Sequence, residues 1–263
     1  MRHLLAFCLA FCAPPLAAQQ MVEVDVELVL AVDVSRSMTL DELEIQRRGY
    51  AAALSSDAVY GAIRGGMIGN IAVTYVEWAG STSQTVVVPW TLIDSRDAVE
   101  EFARGLTSWN RPGMRRTSIS GALLYSADMF ETNRFIGLRR VIDISGDGPN
   151  NQGLPVTQAR DLVLSQGIII NGLPLMTEDE MSSIWGIPDL DVYYANCVVG
   201  GPGAFVVPVY SWDQFAAAVR RKLVLEIAGH AQRPKATIQK AQAYDCLIGE
   251  KVWQRNRRYF DLP

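Results

Sequence analysis

The sequence predicts an α/β fold: a doubly wound, mostly parallel sheet with helices on both faces and a short C-terminal extension. Three observations carry that reading. Short apolar runs rich in β-branched residues alternate with segments of helical period along most of the chain, the pattern of a parallel sheet wrapped by helices. Residues 28–32 are too short for a helix and apolar at every position, so they read as a strand buried on both faces at the sheet centre. Two of the strands open onto loops carrying carboxylates and hydroxyls, where open α/β sheets place their ligands.

The 263 residues allow one large domain or two small ones. A hydrophobic content of 49% with 20% charged residues is ordinary globular composition. The formal net charge of −4 argues against a nucleic-acid binder. No apolar run past residue 20 is long enough to span a bilayer. Residues 1–18 read as a secretory signal peptide. Arg2 and His3 form the positive end, residues 4–13 the apolar run, and Ala17-Ala18 the cleavage site. The alternative, a buried N-terminal helix, is opposed by Pro14-Pro15, and lipid attachment at Cys12 by the bulk of Phe11. Processing would leave Cys197 and Cys246, which an oxidising compartment favours as a disulfide. Two buried free thiols, or half of a metal site that the spacing does not support, are the alternatives.

Each element follows in order. After residues 28–32 come Asp33, Ser35 and Ser37, three hard oxygen donors at every second position. Thr39 and Glu42 then make a Thr-x-x-Glu capping box that opens a helix. Leu43, Tyr50, Ala51, Leu54 and Ala58 share one face of it, and Gly65-Gly66 end it. Residues 68–78 and 84–93 are strands, joined by Gly80-Ser81-Thr82-Ser83 as an antiparallel hairpin at a sheet edge. Asp94 and Ser95 cap a helix through Leu106. Residues 107–116 form a polar, basic loop with Trp109, Pro112 and Gly113, and residues 117–130 lead into another helix. Residues 140–145 are a strand that opens onto Gly146-Asp147-Gly148-Pro149-Asn150-Asn151. Pro155 begins a helix to Gln166, Gly167 stops it, and residues 168–175 are a strand.

Residues 176–203 read as a long irregular stretch leaving the carboxyl end of that strand, a kind of loop that is often functional. It carries Trp185, Tyr193 and Tyr194, with the acidic residues Glu178, Asp179, Glu180, Asp189 and Asp191. Its aromatics suit either partner contacts or a small core of the loop's own. Residues 204–209 are a last short strand. Ser211 and Gln214 make a capping box for a closing helix, whose stripe of Trp212, Phe215, Ala216, Val219, Leu223 and Ile227 is core packing. The expected domain spans residues 24–228, with residues 229–263 an extension packed on it.

The chemistry of Asp33, Ser35 and Ser37 points to a small hard cation. Such an ion takes oxygen ligands in an octahedron and keeps some water, and one carboxylate with neutral hydroxyls leaves its charge unsaturated. The plainer alternative is a polar turn in which Ser37 and Thr39 merely cap the helix. Asp-x-Ser-x-Ser in this position resembles the metal-ion-dependent adhesion site of von Willebrand factor A-type (vWA) domains. Thr117, followed by Gly121-Ala122-Leu123, is similar to that family's threonine segment, and Asp147-Gly148 to its strand-Asp-Gly element. The likeness extends over roughly residues 24–228 and is to exported bacterial proteins of this type.

The resemblance implies a vWA/Rossmann-like fold in which Asp33, Ser35, Ser37 and Thr117 hold Mg²⁺ or Mn²⁺, directly or through water. Asp147 would act through a water, and a partner protein's Glu or Asp would complete the solvent-facing position. One departure from the family pattern is Gly146, which stands between the strand-end Ser145 and Asp147. Asp143 is a competing carboxylate, but it lies inside the strand and reads as hydrogen-bonded structure. Arg111, Arg115 and Arg116 either attract an acidic partner or belong to a solvated loop.

The predicted function is a non-enzymatic, metal-dependent protein-binding module, exported to the periplasm or secreted. A metal-assisted hydrolase or phosphoesterase is the rival, and a structural domain with a vestigial site the third reading. Against the rival, processing leaves one histidine, His230. The sequence also has no Gly-x-Ser-x-Gly, His-Glu-x-x-His or Gly-x-x-x-x-Gly-Lys segment.

Overall fold

The computed structural model describes residues 20–108, 114–177, 182–229 and 244–260. The expectations for residues 1–18, Trp109, Arg111, Pro112, Gly113, Glu178, Asp179, Glu180 and His230 lie outside the described residues.

Among the described residues the sheet has five strands, β1 (Val22–Asp33), β2 (Ile71–Trp78), β3 (Gln84–Ile93), β4 (Phe135–Gly146) and β5 (Ile168–Pro174). Their order is β3-β2-β1-β4-β5. β1 pairs in parallel with β2 and β4, β4 with β5, and β3 closes one edge antiparallel to β2. The apolar run of β1 is therefore central, and its residues from Val24 to Asp33 are buried. The helices are α1 (Leu40–Leu54), α2 (Asp57–Arg64), α3 (Arg96–Thr107), α4 (Ile119–Glu131) and α5 (Val156–Ser165), then the short α6 (Ser182–Trp185) and α7 (Leu190–Tyr193). A π-helical turn (Tyr194–Val198), α8 (Trp212–Ala228) and α9 (Ile248–Phe260) follow.

Alternation along the strands divides the core in two. Leu28, Leu30 and Val32 face a layer formed by α1, α2, α3 and α8, with Tyr50, Phe102, Phe215 and Leu223 at its heart. Val29, Ala31, Ile142 and Ile144 face α4, α5 and the π-helical turn. Both faces are covered, as a parallel sheet requires.

Local chemistry explains where expectation and structure part. The helix expected to run from Thr39 to Gly65 is two helices. The Thr39–Glu42 capping box forms as expected, but Ser56 caps a new helix through the Val59 N–H and donates its own hydroxyl to Ala53 O at 2.6 Å. That break turns Ala58 outward. β2 begins three residues late because the Asp25 carboxylate accepts the N–H groups of Ile68 and Gly69. Residues 204–209 make single bridges, Val206 to Gly172 of β5 and Val209 to Leu175 just beyond it, rather than a strand. Ser211 starts α8 without a side-chain cap. The stretch 176–203 is partly helical, and the Cys197–Cys246 disulfide ties its π-helical turn to the segment before α9.

Candidate metal centre

β1 and β4 are neighbours whose chains leave in opposite directions. β1 continues through α1 on one face, and β4 through α5 on the other. Their carboxyl ends thus open a crevice at the switch point of the sheet, the usual ligand position of this architecture. Asp33 ends β1, and Asp147 follows Gly146 at the end of β4.

Gly146 is the reason these ends can meet. A β-carbon there would lie 2.8 Å from Asp33 Oδ2 and 3.0 Å from the Tyr194 hydroxyl. No side chain fits, so the residue between Ser145 and Asp147 is set by packing against the site.

Asp33 is fully buried. Its Oδ1 accepts the Ser35 N–H at 2.7 Å, which folds the loop back on the carboxylate, and its backbone carbonyl accepts Gln46 Nε2 at 3.0 Å. Oδ2 is buried without a well-formed hydrogen bond. Burial pushes the Asp33 carboxyl well above the usual carboxylate range, and the neighbouring Asp147 charge pushes it further. Hydrogen bonding from Ser35 and from the Asp147 amide offsets only part of this. The Ser35 and Ser37 hydroxyls lie 2.9 Å apart, Ser35 buried and Ser37 half-buried.

The loop leading to Thr117 is seated against the Asp33 loop and the end of β2. Met114 N–H donates to Val34 O at 2.9 Å, and Ser118 N–H to Ala79 O, just after β2, at 2.7 Å. The loop after Asp147 is then zipped onto it. Asn151 Oδ1 accepts the Thr117 N–H at 3.1 Å, Asn151 N–H donates to Thr117 O at 2.9 Å, and Asn150 Oδ1 accepts the Ser120 N–H at 3.0 Å. Thr117 and Asp147 are both buried. The structure brings the three loops singled out by sequence reasoning to one crevice.

Several supporting residues escaped it. Gln46 sits in the apolar stripe of α1 between Leu43 and Tyr50, and a polar residue there is the visible signal. Asn150 and Asn151 read as turn residues in the sequence, yet both amides lock the second and third loops together. Tyr193 and Tyr194 are fully buried beneath the crevice, so the partner-contact alternative for these two rings is corrected. The Tyr193 hydroxyl accepts the Asn150 N–H at 3.2 Å. The Tyr194 hydroxyl is held well above its ordinary pKa, first by burial and then by the charge of Asp33. Arg115 and Arg116 are both exposed, and the Arg116 guanidinium lies 4.1 Å over the Trp253 ring.

Asp143 is turned the other way. It meets Lys222 Nζ at 2.6 Å on the α8 face of the sheet, and Lys222 also pairs with Glu226, which Asn171 Nδ2 contacts at 3.0 Å. The ammonium partner of Asp143 is thus supplied by the chain itself, in keeping with its place inside the strand.

The donor set at the crevice suits a hard divalent cation. It is made of oxygens alone, and Asp33 Oδ2 is the buried oxygen that a cation would satisfy. Among the described residues no three His, Cys, Asp or Glu side chains converge, so the neutral hydroxyls of Ser35, Ser37 and Thr117 would fill out the shell.

The fold belongs to a recognisable class. Over 82% of its length the chain superposes on the von Willebrand factor domain of the pili tip protein Mfa5 from Porphyromonas gingivalis, covering 99% of that chain at 12% identity and a TM-score of 0.50. It likewise matches the pilus adhesin SpaC from Lactobacillus rhamnosus GG at 12% identity and a TM-score of 0.57, covering 80% of this chain and 31% of SpaC. Proximal thread matrix protein 1 from the mussel byssus, solved with zinc in its metal-ion-dependent adhesion site, matches at 13% identity and 0.54, covering 80% and 49%. The chain thus spans a third to a half of the length of the latter two, and at such identities the likeness is one of fold: vWA-like. No functionally curated protein matches the sequence. Residues 23–231 match the model of a protein family of unknown function, DUF1194, and the chain belongs to that family.

Proposed function

We propose that the chain is an exported, metal-dependent protein-binding module whose partner supplies a Glu or Asp carboxylate. Asp33, Ser35, Ser37 and Thr117 would hold the cation, and Asp147 would act through a water. Hard oxygen donors favour Mg²⁺ or Mn²⁺. The bound ion would supply an electrophilic position open to an incoming carboxylate. The chain's own part is to fix the donors: Ser35 N–H and Gln46 orient Asp33, and Asn151 fixes Thr117.

The observation that carries this reading is Asp33. It is a buried carboxylate held by hydrogen bonds beside a second carboxylate, at the switch point of a vWA-like sheet. The pilus adhesin SpaC, the pili tip protein Mfa5 and the zinc-bound mussel protein among its structural neighbours support it. The disulfide supports export, because such bonds persist in oxidising compartments. Among the described residues no helix is long and apolar enough to cross a membrane. Leu40, the first residue of α1 after the Asp33 loop, is exposed and would offer apolar contact to a partner there.

The test is capture from the organism's extracytoplasmic fraction on immobilised protein, with and without Mg²⁺. A partner should elute with chelator and be lost with Ser35→Ala or Thr117→Ala while circular dichroism stays unchanged. A partner retained equally in chelator would refute metal-mediated binding. Metal-tracking turnover of a phosphoester would promote the hydrolase instead.

A further inference from the structure

The segment after α8 is placed where it can act on the candidate site. The disulfide fixes residue 246 to the π-helical turn, and Tyr244 donates its hydroxyl to Asp189 Oδ2 at 2.9 Å. From that anchor α9 runs across the second and third loops. Its backbone approaches the third loop so closely that a β-carbon at Gly249 would lie 2.1 Å from Asn150 O. Glu250 Oε1 accepts Asn150 Nδ2 at 2.8 Å, and this is the side chain whose Oδ1 holds the Ser120 N–H. One turn further, the Trp253 ring receives the Arg116 guanidinium at 4.1 Å, with Arg257 at 5.2 Å.

Arg116 is also, among the described residues, the non-glycine residue with positive φ, at 79°. A left-handed conformation in a residue with a β-carbon persists only where its surroundings hold it. It immediately precedes Thr117. α9 therefore touches both loops at the residues that set their conformation, Arg116 before Thr117 and Asn150 after Asp147.

We propose that α9 is a clamp on the metal centre, with Trp253 and Glu250 as positioning residues that hold the Thr117 and Asp147 loops in place. The disulfide sets the clamp's position. This rests on the metal-site reading for its functional consequence but not for its structural one. The clamp keeps the donors in place before any ion arrives, so the ion does not have to order the loops on binding.

The experiment compares the oxidised protein with Trp253→Ala, Glu250→Ala and the double variant, and with the conservative Trp253→Phe and Glu250→Gln. Hydrogen exchange is read in the metal-free protein at residues 115–120 and 147–152, and Mn²⁺ affinity by calorimetry. A cation–π contact and a charge-assisted hydrogen bond together predict roughly tenfold faster exchange in both loops and roughly tenfold weaker Mn²⁺ binding in the double variant. β1 amides should be unchanged, and Phe and Gln should restore most of the loss. Unchanged loop exchange in the double variant overturns the clamp, as does equal affinity in variants of a protein that binds Mn²⁺. Should the native protein bind no Mn²⁺ while the variants lose loop protection, the clamp stands and the metal reading falls.

Discussion

Asp33 and Asp143 leave adjacent strands of one sheet, both fully buried, and their surroundings differ in kind. Asp143 points into the α8 layer and meets an ammonium, Lys222 Nζ, supplied by the chain itself. Asp33 ends its strand, turns into the crevice, and is raised by burial and by a second carboxylate with only hydrogen bonds to offset them. A buried charge that brings its own counterion is part of the scaffold. One stabilised by hydrogen bonds beside a like charge is what the proposed metal site calls for, since a bound cation would offset both charges. Side-chain identity and burial alone do not separate the two roles; the neighbours do.

The sharpest way to break this comparison is to remove the internal counterion. Lys222→Met leaves Asp143 and Glu226 buried without an ammonium and should cost about 3–5 kcal/mol in urea denaturation. Asp33→Asn in the metal-free protein should cost less than about 1 kcal/mol or stabilise it, because it removes a buried charge that the fold does not neutralise. Equal losses in the two variants would mean that both aspartates are scaffold.

A smaller effect follows from Glu226, whose carboxyl is pushed up to about 8, first by burial and then by Asp143, with Lys222 opposing. The unfolded chain releases that proton in the ordinary carboxylate range, so the folded state binds more protons between there and pH 8. This contribution to stability is complete below that range and declines as pH rises towards 8. Glu226→Gln should flatten the decline. An identical pH profile in the variant would place the dependence elsewhere.

What the sequence revealed follows the range of the interactions involved. The β1 strand, the Thr39 capping box and the Asp33-x-Ser35-x-Ser37 loop depend on residues a few positions apart, and all were legible. The hairpin of β2 and β3 was legible for the same reason. The helix break at Ser55-Ser56 was missed because the apolar spacing continues to Ala58, while one serine hydroxyl decides the cap. The partners of Asp143 and Asn150 were invisible, since Lys222 and Glu250 lie far along the chain and meet them only through packing. Gly146 looked like an interruption of the family pattern; the crowding of Asp33 and Tyr194 around it explains it. The roles of Ser35, Ser37, Thr117 and Asp147 as ligands remain proposals resting on that geometry.

The measurement closest to the central claim is a calorimetric titration of Mn²⁺ and of Mg²⁺ into the native protein, Asp33→Asn and Asp143→Asn. The account predicts one divalent ion per chain in the native protein, no detectable binding in Asp33→Asn, and binding retained in folded Asp143→Asn even where its stability is reduced. Native affinity in Asp33→Asn, or binding abolished by Asp143→Asn alone, would contradict it.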